Sequence, residues 1–200
     1  MGRGRQTITA AKMTRSERAI TAYTGAMNGE RIKRGGYSRK GNRRQMKARY
    51  ESYDKLMYVA EAIGVKVRRM TEKEITQERK TVSGKTFTAG GFFQAPDVIA
   101  LAYESPDVLA HELAHAVDYQ LDWRRGTGDK ETLATAVQTM LMAELGCAVR
   151  PRHVDYAKDQ GGSIKTLEDN EERIRIIYDL IMETIQNRPV EIPVESNFVL

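Results

Sequence analysis

The amino-acid sequence predicts an α+β fold in which a small antiparallel or mixed sheet packs on a motif-bearing helix and on the helix that follows it, with a basic arm at the N-terminus. Three observations carry this. Apolar residues recur at helical spacing in four stretches, short β-prone runs cluster between residues 65 and 103, and basic side chains crowd the first 50 residues.

The elements follow in chain order. Residues 1–43 are glycine-containing and basic, around one short helix near Ser16 to Met27, and they offer little to bury. From Arg44 to Ile63, Met46, Tyr50, Tyr53, Leu56, Met57, Val59, Ala60 and Ile63 recur at helical spacing, and Gly64 stands where a helix C-cap would. Val65 to Met70 reads as a strand, Lys85 to Thr88 and Gly91 to Gln94 as a second and third, and Asp97 to Tyr103 as a further one. Ser105 as N-cap, Pro106 in the first turn and Asp107 at the positive end of the dipole then start a helix reaching about Leu121. A glycine loop leads to a helix over Lys130 to Leu145, capped by Asp129 and ended by Gly146. A last helix spans Leu167 to Asn187, and Pro189 and Pro193 make the end extended.

At 200 residues the chain suits one compact domain with an appendage. The expected division is an arm at 1–43, a catalytic-sized domain at 44–187 and a tail at 188–200. With 40% hydrophobic and 30% charged residues, the composition is that of a globular protein and excludes a disordered or membrane one. No apolar run is long enough to span a bilayer, and no apolar segment follows the N-terminal arginines, so the expected location is the cytoplasm. A single cysteine, Cys147, excludes an internal disulfide and reads as a small core residue. Residues 1–50 hold fourteen basic side chains against two acidic ones, a net +12, which leaves −7 for the rest of a chain whose total is +5. An arm of this kind meets nucleic acid, an acidic protein surface or a negatively charged assembly; Arg31, Lys33, Arg34, Arg39, Lys40, Arg43 and Arg44 are its candidate nucleic-acid contacts.

The chemistry concentrates in His111-Glu112-Leu113-Ala114-His115. Positions i and i+4 share one helix face, so two imidazoles can meet one metal ion, and two of the chain's three histidines fall in this pattern. Zinc suits two neutral imidazoles plus a carboxylate, with a fourth position for a water made acidic by the ion. Glu112 is placed to take a proton from that water and deliver it to a leaving amine. The third protein ligand is best supplied by Glu131, in the first turn of the next helix, which an antiparallel return would bring to the histidines; Glu144 and Asp118 compete with it. Asp118, three residues past His115, is better placed to accept a hydrogen bond from a ligand histidine. His153, with Tyr156 one turn on, is a candidate oxyanion donor. Tyr119 and Trp123 read as packing residues.

Leu109 to Tyr119, followed by Glu131-x-x-Ala134-x-Ala136, resembles the zincin-like metallopeptidases of plasmid antirestriction proteins and phage polyvalent proteins, and more distantly the ImmA/IrrE-type peptidases. The resemblance covers residues 90–185. It implies zinc held by His111, His115 and Glu131, catalysis by Glu112, and a strand at 97–103 forming the sheet edge beside the metal, where a peptide substrate adds as a further strand. It also implies a phage- or mobile-element-encoded protein, found in the host cytoplasm or in the virion. The N-terminal arm departs from the pattern, because antirestriction proteins carry a folded single-strand-binding domain there. Two functions from different classes follow: a zinc endopeptidase, and a nucleic-acid-associated or virion assembly protein whose zincin domain is a scaffold.

Overall fold

The computed structural model describes residues 14–27, 39–75, 90–121, 127–148, 158 and 163–189. The fold is α+β. Helix α1 (Arg15–Met27) and helix α2 (Arg39–Ala62) precede strands β1 (Lys66–Arg69), β2 (Gly91–Gln94) and β3 (Val98–Leu101), with a single helical turn at 72–75 between the first two. Helices α3 (Pro106–Gln120), α4 (Thr127–Glu144), α5 (Ile164–Asp169) and α6 (Glu171–Gln186) follow. The expected strand at 85–88 lies outside the described residues.

Helix α1 opens with a capping box. The Glu17 N–H donates to Thr14 Oγ1 at 3.2 Å and the Thr14 N–H donates to Glu17 Oε2 at 2.6 Å. Its Ile20 and Tyr23 then pack into the main core, and Tyr23 is only 2% exposed. This corrects the reading of residues 1–43 as an arm with little to bury: α1 packs against α4, α5 and α6. The boundary at 43 also falls inside α2, which begins at Arg39.

Two helices end in the same way for the same reason. Gly64 and Gly146 both take positive φ, 74° and 73°. Beyond them the Val65 N–H donates to the Ala60 carbonyl and the Cys147 N–H to the Met142 carbonyl, each at 2.8 Å, while the glycine N–H groups donate to Glu61 and Ala143. These are Schellman motifs, which satisfy carbonyls that the helix would leave bare.

The sheet is mixed, in the order β1-β3-β2, with β3 parallel to β1 and antiparallel to β2. Strand β3 is therefore central, contrary to the expectation that it forms the edge beside the metal site. The physical reason is its composition: Ile99, Ala100 and Leu101 are buried on both faces, as a central strand requires. Strand β1, Lys-Val-Arg-Arg, carries the exposed charge of an edge. Ile99 and Leu101 face the helices, whereas Ala100 and Phe92 face the opposite way onto Ile75.

The expected last helix is two. Asn170, buried, interrupts it, donating from Nδ2 to the Thr166 carbonyl at 2.7 Å, and Ser163 caps the shorter piece through the Thr166 N–H at 3.1 Å. Helix α3 packs on α4, α2 and β2, and this junction positions the site. No helix among the described residues is long and apolar enough to cross a membrane.

Candidate metal centre

Helix α3 begins where the sequence marks it, with Pro106 at the first position and Ser105 before it. The Ser105 hydroxyl makes no cap hydrogen bond; it lies 3.4 Å from Asp107 Oδ2 and receives Arg49 at 3.4 Å. Arg49 also pairs with Asp107 at 2.7 Å, tying the start of α3 to α2. Helix α4 runs back along α3. The Gln138 amide donates to the Asp107 carbonyl at 2.8 Å near one end of the pair, and Glu131 meets the histidines near the other.

At that second contact three donors converge. His111 Nε2 and His115 Nε2 are 3.2 Å apart, Glu131 Oε2 is 3.3 Å from His111 Nε2, and Glu131 Oε1 is 3.7 Å from His115 Nε2. Ligands on a tetrahedral zinc at ~2.0–2.1 Å stand roughly 3.3 Å from one another, which the 3.2 Å between the imidazole nitrogens and the 3.3 Å from Glu131 Oε2 to His111 match. The three side chains are 13%, 15% and 16% exposed, sheltered yet reachable. Burial raises the pKa of the Glu131 carboxyl, and hydrogen bonds and charge from the two imidazoles more than offset this, holding it well below the usual carboxylate range. An anionic oxygen held against two imidazole nitrogens is a donor set that suits a divalent transition-metal ion.

Glu112 is buried on α3 beside His111. Of the competitors for the third ligand, Glu144 is exposed at the far end of α4, about 20 Å along the axis from Glu131. Asp118 has a different partner from the ligand histidine expected for it. Its Oδ1 is paired with Arg173 of α6, and both side chains are 4% exposed. The sequence reading missed Arg173, although its place on a stripe with Ile177 and Ile181 signals a cation facing a core acid.

Tyr119 packs its ring, tilted, against Phe93 at 5.8 Å between centroids and is 52% exposed. Cys147 is buried as expected, with its sulfur 3.4 Å from Ser52 Oγ. His153, Tyr156 and Trp123 lie outside the described residues, as do Arg31, Lys33 and Arg34. Arg39 and Lys40 lie in the first turn of α2, and Arg43 and Arg44 are exposed on it. No family model, no curated protein and no solved structure matches this chain.

Proposed function

We propose that the chain is a zinc-dependent peptidase of zincin-like fold, with His111, His115 and Glu131 as ligands and Glu112 as general base and acid. The observation that carries this reading is the convergence of two Nε2 atoms 3.2 Å apart with the Glu131 carboxylate, one oxygen of which lies 3.3 Å from His111 and the other 3.7 Å from His115. Zinc held there would supply the Lewis acidity that polarises a water and a substrate carbonyl. The residues do the rest. Glu131 and the imidazoles form a cradle whose net charge favours a divalent cation, and the buried carboxylate of Glu112 accepts the water proton and returns it to the amine leaving group.

Metal analysis of the purified protein tests the reading. About one zinc per chain is expected, and none in the variant with both His111→Ala and His115→Ala. Glu112→Gln keeps the metal and loses hydrolysis, because an amide of the same shape cannot accept the proton. Undiminished zinc in the double variant would sink the assignment.

A second reading rests on a separate observation, the net +12 of residues 1–50 with Arg43, Arg44 and Lys47 exposed along one helix. In it the chain binds nucleic acid or an acidic protein surface, as part of a phage assembly. The two readings are compatible, since the basic residues and the donor residues do not overlap.

A further inference from the structure

Val108, His111, His115 and Tyr119 stand at i, i+3, i+7 and i+11 of α3, so they form one stripe along the helix. Strand β2 touches both ends of that stripe. At one end, a Cβ on Gly91 would lie 2.8 Å from Val108 Cγ1; at the other, the Phe93 ring meets Tyr119. Gly91 and Phe93 share a face of the strand, because Phe92 between them points the opposite way into the smaller core. The strand therefore lies along the stripe that presents both imidazoles, and Phe93 with Tyr119 forms an aromatic surface one helical turn beyond His115. Tyr119 is half in water there, and Phe93 is only partly buried, so the pair spends part of its apolar area on nothing in the chain's described residues.

We infer that Phe93 and Tyr119 form a substrate side-chain subsite that selects a large apolar or aromatic residue beside the peptide bond presented to His111 and His115. This deepens the peptidase reading and rests on it. An extended peptide places alternate side chains on one face about 7 Å apart. One whose carbonyl sits over the imidazoles thus delivers a neighbouring side chain to the Phe93–Tyr119 end of the stripe, about 6 Å further along the helix axis. The ring faces there accept apolar or aromatic groups, and their negative π faces repel a carboxylate.

The test uses full-length protein carrying Glu112→Gln, loaded with zinc, and fluorescence anisotropy of labelled hexapeptides that are alanine except for one residue, set in turn to Phe, Leu, Ala or Glu at each position. Phe or Leu at one position is expected to tighten binding about tenfold or more over Ala, the discrimination that an apolar pocket gives for a few methylenes. Adding Tyr119→Ala, which removes an exposed side chain, flattens that preference with zinc content unchanged. Phe93→Leu, which keeps the volume against the core, reduces it for Phe more than for Leu. Equal binding of all peptides, or a preference that survives both changes, overturns the subsite. Failure of the protein to hold zinc while the apolar preference persists counts against the peptidase reading and leaves Phe93 and Tyr119 as an apolar peptide-binding surface without the chemistry.

Discussion

Arg173 is buried on a helix face that is otherwise largely apolar, and its charge is compensated by the carboxylate of Asp118, fully enclosed with it. Removing the guanidinium strands the carboxylate. Arg173→Met leaves an uncompensated anion in the core and should lower stability by roughly 3–5 kcal/mol, whereas Asp118→Leu combined with Arg173→Met should restore much of the loss. Urea denaturation of the two variants measures this, with zinc content per folded chain unaffected; Arg173→Met as stable as the parent would mean that the pair does not anchor α6 to α3. Gly91 makes a second prediction at this scale. A methyl there would meet the Ala100 carbonyl oxygen at 2.7 Å and Val108 Cγ1 at 2.8 Å. The oxygen belongs to the central strand and cannot move aside, so Gly91→Ala should cost about 1–3 kcal/mol and push β2 off the motif helix. A melting temperature equal to the parent's would contradict that close approach.

Helix α1 decides what the N-terminal region is. Tyr23 puts its ring into the main core, yet its hydroxyl has no hydrogen-bond partner among the described residues. Tyr23→Phe should therefore leave stability equal or higher, while Tyr23→Ala opens a cavity and should cost roughly 3–5 kcal/mol. Removing residues 1–43 would take away this packing together with the basic charge, so truncation cannot isolate the role of the charge. The end of α4 carries a pH-dependent probe. Burial pushes the Cys147 thiol up, with the contact to Ser52 partly opposing it. A thiol whose folded pKa lies above its unfolded value contributes stability that is full below the unfolded pKa and is lost as pH rises through the folded one. The native protein should accordingly resist thiol alkylation at mildly alkaline pH, with labelling that follows unfolding. Fast labelling of folded protein at pH 8 would refute this packing.

Charge acts at the scale of the whole molecule, with +12 in the first 50 residues facing −7 in the remainder. Arg49 finds its counter-charge inside the chain in Asp107, whereas Arg43, Arg44 and Lys47 stand exposed on α2, open to an external anion. Full-length protein should bind DNA or RNA at low salt, with affinity falling on a log–log plot at a slope near 0.9 per phosphate neutralised on duplex DNA. Arg43→Glu with Arg44→Glu, both exposed on α2, should weaken that binding and lower the slope while zinc content stays the same. If neither DNA nor RNA binds, an acidic protein surface is the partner to pursue.

Much of this architecture is legible locally. Pro106 starts α3, Gly64 and Gly146 end α2 and α4, and the i, i+4 spacing of His111 and His115 puts two imidazoles on one face, because each of these signals acts within about one helical turn. The approach of Glu131 to the histidines was readable because a short connection forces α4 back along α3. The rest was decided by packing between distant segments. Strand β3 became central because both its faces found apolar cover, and α1 left the basic arm because Ile20 and Tyr23 found the core. Asp118 turned to Arg173, 55 residues away, and Phe93 came to lie against Tyr119. No periodicity records such pairings, since they depend on which surfaces the whole chain brings together, and the sequence by itself determines only which surfaces are there to be buried.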